Sequence, residues 1–156
     1  MSGDPENFSI VEVPRPGFGN DIAEQTARLI LQELFDTPSP TRQKLLETFA
    51  IELDGHLVLA AVNAEGAVVG TGGLALIKEP NELDSGLIVN VVVASDERHN
   101  GLATRMMSLL EERARALQAK ETFGQPGPDY DSFYEELGYQ KGTKPYLEGS
   151  VHFKAL

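Results

Sequence analysis

The chain has 156 residues, 41 % of them hydrophobic and 24 % charged, with a net charge of −11 and no cysteine. This composition suits one globular domain over residues 1–156 and excludes disulfides and thiolate metal sites. So acidic a chain repels nucleic acid, whose binding depends on Lys and Arg neutralising phosphates.

The like charge either keeps the surface soluble or draws in a cation such as an amine. No apolar run approaches the roughly 18 to 20 residues of a membrane span, so no membrane partner is expected. The first residues, MSGDPENFSIVEV, have no basic region followed by an apolar one, so no secretory signal is expected. Absence of cysteine fits a reducing cytoplasm. His56, His99 and His152 stand in no ligand spacing with one another or with a carboxylate pair, so no metal is expected.

Phe8 to Val13 alternates and predicts a short strand. PRPGFG turns the chain. From Asn20 to Phe35, Ala23, Ala27, Ile30, Leu31 and Leu34 recur at helical spacing. After DTPSPT breaks that helix, Ser39 as cap and Pro40 at the first position start a second one, reaching Phe49. HLVLAAVN and AVVGTGGLALIK predict two strands joined by NAEG, a glycine-closed hairpin turn. Gly70, Gly72 and Gly73 inside the second strand suggest a bulge or a close approach.

An acidic loop, EPNELDSG, leads into LIVNVVVA, residues 87–94. This nearly continuous apolar run predicts a central strand buried on both faces, with Asn90 its polar exception. Ala103, Met106, Leu110, Ala114 and Leu117 then form one helical stripe, flanked by Leu102, Met107 and Leu109. Glu111 is expected on the solvent side, paired four residues on with Arg115. KETFG predicts a short strand, QPGP a break, and DYDSFYEELGY a short helix closed by Gly138. Tyr139 to Lys141 and Ser150 to Leu156 complete the strands. Hairpins make the first part antiparallel. The strand-helix-strand unit over residues 87–124 allows one parallel pairing, giving a mixed α/β fold rather than a doubly wound sheet.

Between the apolar strand and the long helix lies Arg98-His99-Asn100-Gly101-Leu102-Ala103. A helix N-terminus presents N–H groups and the positive end of the dipole, so it favours anions. Gly101 and Ala103 keep side chains clear of the backbone, and Arg98 adds positive charge. A P-loop would need a lysine and a hydroxyl residue after its second glycine, and a dinucleotide fingerprint three glycines in a repeated βαβ fold. Neither fits.

The Arg98-x-x-Gly101-x-Ala103 turn resembles the acetyl-CoA pyrophosphate loop of the GNAT superfamily of N-acetyltransferases. LIVNVVV resembles the strand that precedes it, and FYEELGY, residues 133–139, resembles the family's late Tyr-x-x-Leu-Gly-Phe/Tyr motif. The resemblance implies a mostly antiparallel sheet of six to seven strands with helices on both faces. It implies acetyl-CoA as co-substrate, held in a splayed central strand pair. Val91, Val92 and Val93 would pair with the pantetheine arm through their backbone. The N–H groups of His99, Asn100, Gly101, Leu102, Ala103 and Thr104 would hold the pyrophosphate, with Arg98 at the loop entrance. Tyr134 would protonate the leaving thiolate.

A neutral amine must attack the thioester carbonyl, since an amine near pKa 10 is mostly protonated at neutral pH. A backbone N–H near Val92 or Val93 would stabilise the oxyanion. Many family members place a glutamate on or near the central strand, where this chain has Val89 and Asn90. Asn90 cannot act as a base. It orients the amine or a water, or it satisfies a splayed strand. Glu79, Glu82 and Asp84 of the acidic loop are the remaining candidates for the base. The asparagine that often precedes the tyrosine by about seven residues is replaced by Gly127. The triple valine resembles glucosamine-phosphate acetyltransferases, but their acidic pair before it is missing, so that substrate is not assigned. The acceptor is expected to be an amine, a small molecule rather than a protein, and a homodimer is common in the family. A non-catalytic acyl-CoA-binding regulatory domain is the competing function.

Overall fold

The computed structural model describes residues 8–13, 21–35, 41, 44, 57–77, 84–95, 101–126, 130–143 and 149–156. Its strands are β1 (Ser9–Glu12), β2 (Leu57–Val62), β3 (Val68–Ile77), β4 (Ser85–Val93), β5 (Glu121–Gly124), β6 (Gln140–Thr143) and β7 (Ser150–Ala155). Helices α1 (Asp21–Leu34), α2 (Leu102–Ala116) and α3 (Asp131–Glu136) lie between them. The seven strands form one sheet in the order β1-β2-β3-β4-β5-β7-β6. The pairing of β4 with β5 is parallel, whereas β1 with β2, β5 with β7 and β6 with β7 are antiparallel. The mixed α/β class and a parallel pairing between the strands of the strand-helix-strand unit are both found.

Contacts divide the chain into two compact units, residues 1–73 with 90–107 and residues 74–89 with 108–156. In the first unit, α1 buries Ala23, Ala27, Leu29, Ile30 and Leu31 against Val58, Ala60, Val68 and Val92. Leu34, expected in this stripe, is exposed at the helix end. Thr26 is fully buried because its hydroxyl donates to the Ile22 carbonyl one turn back, at 2.7 Å. The β2–β3 turn closes as NAEG predicts. Asn63 Oδ1 accepts from Glu65 and Ala67 N–H, and Gly66 takes a φ of +82° that suits glycine. Gln25 ties α1 to this hairpin by accepting from the Val68 N–H at 2.9 Å. At Gly70 a Cβ would lie 3.3 Å from the Leu102 side chain, a packing approach rather than the expected close approach of another backbone or a ligand.

The second helix predicted over 40–49 lies largely outside the described residues. One capping bond is seen, from the Lys44 N–H to Thr41 Oγ1 at 3.2 Å, two residues beyond the expected Ser39 cap.

In the second unit, β5 is buried at all four positions, and Phe123 has no exposed surface. Ser85 donates to Glu121 Oε1 at 3.0 Å across the parallel pair. On α2, Leu110 and Ala114 are fully buried, whereas Leu117, expected in the stripe, is exposed. A second correction concerns Glu111, which is buried rather than on the solvent face. Its carboxylate accepts from the Tyr139 hydroxyl at 2.9 Å and from Lys154 Nζ at 3.1 Å, and these bonds offset its lost hydration.

The central strand departs from the sequence reading too. Leu87, Val89 and Val91 are only partly buried, so β4 is not sealed on both faces. Asn90 takes a φ of +51° in mid-strand. Asparagine tolerates this left-handed conformation better than most residues.

Packing on β4 is tightest at Gly86, where a Cβ would lie 2.8 Å from Leu74 Cδ1, 3.3 Å from Ala114 Cβ and 3.4 Å from Thr122 Cγ2. Alanine needs the Leu74 methyl to give way, but valine also meets a helix and a strand. Gly86→Val is expected to cost about 1–3 kcal/mol by overpacking. Urea unfolding should show a lower midpoint with an unchanged m-value.

Candidate active site

The turn from β4 into α2 is described only from Gly101 onward. Arg98, His99 and Asn100 lie outside the described residues, as do Glu79, Glu82, Gly127 and His56. Gly101 is exposed with a φ of +82°, and its carbonyl accepts the first helical bond, from the Arg105 N–H at 3.0 Å. It is therefore the helix N-cap. The N–H groups of Leu102, Ala103 and Thr104 follow in the first turn, where an α-helix offers no acceptor four residues back. No acidic side chain stands in that turn to compete for the positive end of the dipole. Leu102 anchors the turn by burying its side chain against Gly70.

Upstream, Val92 and Val93 are buried and Val91 is half-buried. Val92 packs into the α1 cluster. Ala94 donates its N–H to the Val69 carbonyl at 2.8 Å, and the Ser95 N–H reaches Glu33 Oε1 at 3.3 Å.

The second unit places Tyr134. The parallel pairing of β4 and β5 runs over three residue pairs, Ser85 with Glu121, Gly86 with Thr122 and Leu87 with Phe123. Just past the last of these, a Cβ at Gly124 would lie 3.3 Å from the Ile88 carbonyl oxygen and 3.4 Å from the Tyr134 hydroxyl. The phenol therefore lies over a glycine at the C-terminal end of the pair, at van der Waals distance from where a Cβ would stand. Asp84 stands at the opposite end of the same pair, its carbonyl accepting from the Lys120 N–H at 2.7 Å.

Tyr134 is held by backbone as well as packing. Its carbonyl accepts from the Tyr139 N–H at 3.1 Å, and Gly138 donates to the Glu135 carbonyl at 3.0 Å. This is a Schellman closure of α3. Gly138 supplies the required left-handed φ, +94°, at the position the sequence indicated. The Tyr134 ring meets Tyr139 edge-on at 5.2 Å and His152 at 5.9 Å between centroids. With 6 % of its surface exposed, burial pushes the phenol up to about 12.

Sequence reasoning missed the polar network behind this tyrosine. The Tyr139 hydroxyl lies 2.7 Å from Thr122 Oγ1 and donates to Glu111, and Glu111 in turn binds Lys154. Burial and the neighbouring Glu111 carboxylate raise the Tyr139 phenol far above its ordinary range. The spacing of Glu111 was the available signal: Met107, Leu110, Glu111 and Ala114 fall on one helical face. His152 is buried at 3 % exposure, with Nε2 3.7 Å from Asp131 and 4.0 Å from Glu135. Among the described residues, no group of three His, Asp or Glu side chains is placed to hold a metal, and no helix is long and apolar enough to cross a membrane.

The sequence pattern of the acetyltransferase (GNAT) family matches residues 23–139. The chain belongs to that family. Solved structures share the fold at low identity. A GNAT-family acetyltransferase from Staphylococcus aureus superposes with a TM-score of 0.69 at 16 % identity, covering 95 % of this chain and 98 % of that one. Glucosamine-6-phosphate N-acetyltransferase from Arabidopsis thaliana gives 0.68 at 20 % identity, with coverage of 91 % and 97 %. N-acetylglutamate synthase from Neisseria gonorrhoeae, complexed with coenzyme A and N-acetyl-glutamate, gives 0.64 at 17 % identity; 96 % of this chain matches 35 % of that one. No curated protein sequence matches the chain.

The two buried phenols carry a pH signature. In the unfolded chain a tyrosine ionises near 10, so the native state holds these protons more tightly. Stability is therefore full below about pH 10 and falls as pH rises, with the Tyr134 part lost between 10 and about 12. Over that window Tyr134→Phe should make the decline shallower by about 1.4 kcal/mol per pH unit. Urea midpoints measured across the alkaline range check it. An unchanged slope contradicts a buried native phenol.

Proposed function

We propose that the protein is an N-acetyltransferase that moves an acetyl group from acetyl-CoA to a primary amine by direct attack through a tetrahedral intermediate. The observation that carries the reading is the buried Tyr134 hydroxyl, set over Gly124 beside the Ile88 carbonyl where the parallel strands stop pairing. A regulatory acyl-CoA binder without turnover is not favoured, because it has no use for a phenol there.

The start of α2 fits an anionic group: Gly101 has no side chain, and the first turn carries no carboxylate. Gly101 to Thr104 would hold the pyrophosphate through their N–H groups, with Arg98, His99 and Asn100 completing the loop. The backbone of Val91 to Val93 would bind the pantetheine arm. Acetyl-CoA supplies the activated thioester. Asn90 would orient the amine or a water, since its amide takes up no proton. The base would be a water or a carboxylate of the acidic loop, Glu79, Glu82 or Asp84, acting through water.

The nitrogen lone pair attacks the carbonyl carbon, and a donor N–H near Val92 or Val93 takes the developing oxyanion. The C–S bond then breaks, leaving amide and thiolate. Tyr134 donates to the sulfur as it departs. A thiol near pKa 8.5 is a stronger acid than a phenol at about 12, so the first contribution of Tyr134 is a hydrogen bond. Complete proton transfer requires the tyrosinate to be stabilised.

Thiol release from acetyl-CoA across a panel of amines tests the reading. Tyr134→Phe should lower kcat by about 10²-fold or more and leave acetyl-CoA binding unchanged. Tight binding with no turnover on any amine would make the chain a binder. Failure to bind acetyl-CoA would remove the reading altogether.

A further inference from the structure

His152 is a buried polar group that the mechanism leaves unused. It lies on β7, where its cross-strand partners are Gly124 on β5 and Lys141 on β6. Gly124 is the residue beneath the Tyr134 hydroxyl. The imidazole thus lies beside the glycine over which the phenol rests, and its ring meets the Tyr134 ring 5.9 Å away at 60°. Its Nε2 is fully buried and has no hydrogen-bond partner. A buried polar atom without a partner is costly, and it asks for an explanation.

Among the described residues, the charged and titratable groups around the imidazole are few. Asp131 and Glu135 come from α3, Tyr134 lies between them in sequence, Lys141 faces it from β6, and Lys154 lies two residues along β7. Lys154 is engaged by Glu111. The two groups nearest Nε2 are therefore carboxylates, at 3.7 and 4.0 Å, with side-chain exposures of 39 % and 60 %. Both already stand within ion-pair distance of the ring, to act on it once it is protonated. Both also belong to the helix that carries Tyr134.

We propose that His152 is the positioning residue for Tyr134, and that its protonated form holds α3 through Asp131 and Glu135 while making the phenol a better proton donor to the leaving thiolate. The proposal rests on the reading of Tyr134 as the acid. The electrostatics follow from placement. A cation beside a phenol favours the tyrosinate and eases release of its proton, whereas neutral imidazole does not. Only the protonated imidazole supplies that charge, so the assistance fades as pH rises. The amine has the opposite demand, because it must be neutral to attack. The two demands separate when variants are compared at each pH on the same amine.

The experiment uses the full chain with acetyl-CoA and the best amine of the panel. His152→Phe keeps a ring against Tyr134 and removes both nitrogens. His152→Gln keeps a neutral donor toward Asp131 and Glu135. His152→Phe should lower kcat roughly tenfold at the acidic end, in line with the cost of a misplaced catalytic group. KM for acetyl-CoA should stay unchanged within about twofold, as expected when only the chemical step is affected. The ratio of wild-type to variant kcat should shrink as pH rises. His152→Gln should recover part of the rate without the pH dependence. Replacing both carboxylates, Asp131→Asn with Glu135→Gln, should weaken the pH dependence while the imidazole remains.

A second readout is independent of turnover. The NMR signals of an isotopically labelled Tyr134 ring should shift as His152 titrates in the wild type, and should lose that shift in His152→Phe. Tyrosine signals that ignore the histidine titration overturn the coupling. So does a kcat ratio that is constant with pH, or a loss confined to thermal stability. If Tyr134→Phe keeps full activity, the acid reading of Tyr134 fails, and with it the catalytic half of the proposal. The ring signals then decide the structural half alone.

Discussion

The hydroxyl of Tyr139 is the fastening on which the tyrosine site depends. It lies within hydrogen-bond distance of Thr122 on β5 and donates to Glu111 on α2, while its backbone N–H closes α3 on the Tyr134 carbonyl. One residue thereby joins a strand, a long helix and the short helix that carries the phenol. Six residues do not make a stable helix in water on their own, since nucleation costs more than so few bonds return. Here α3 is held by its Schellman closure at Gly138 and by the rings of Tyr139 and His152 beneath it. Lys154 completes the fastening by neutralising Glu111, so that the buried carboxylate has both an ionic and a hydrogen-bonding partner.

The same part of the sheet explains why the phenol can sit at a strand end. Parallel pairing stops after Leu87 with Phe123, while β4 runs on to Val93. Beyond that point Gly124 presents no side chain, and the Tyr134 hydroxyl fills the space a Cβ would border. Further along β4, Asn90 reverses the sign of φ and breaks the alternation of faces. Val92 and Val93 are buried in succession, which a regular pleat with one solvated face does not give.

Much of this was legible in the sequence, for identifiable reasons. Apolar periodicity located α1 and α2. Asn63 and Gly66 marked the hairpin turn, and Gly138 marked the end of α3. Each of these signals is local. The misreadings are cases where a distant partner overrides the local pattern. Glu111 looks like a solvent-facing charge until Tyr139 and Lys154, 28 and 43 residues away, come to meet it. Leu117 continues the stripe of α2 by spacing, but the helix ends at Ala116 and the side chain points to water. His152 was judged only as a metal ligand, because alternation along one strand does not say which helix will cover it. Asn90 did stand out as the polar residue in an apolar run. Its sequence signal was the residue type, and its structural meaning was a backbone conformation.

Burial of Tyr134 has two opposed consequences for chemistry. Desolvation keeps the phenol protonated across the physiological range, so it can act as a donor there. The same desolvation makes the phenol a weaker acid than a thiol, so full proton transfer to a thiolate would be uphill. Dry surroundings that secure the donor thus limit its acidity, and only nearby charge resolves the conflict. The described charges next to Tyr134 are unevenly distributed. Glu111 is engaged by Tyr139 and Lys154, whereas Asp131 and Glu135 are far more exposed and stand 3.7 and 4.0 Å from His152 Nε2. Carboxylates alone would disfavour a tyrosinate. With a protonatable ring beside them, their charge stabilises a cation instead. On the proposal that His152 is protonated, the imidazole turns these carboxylates from a hindrance into support for proton release.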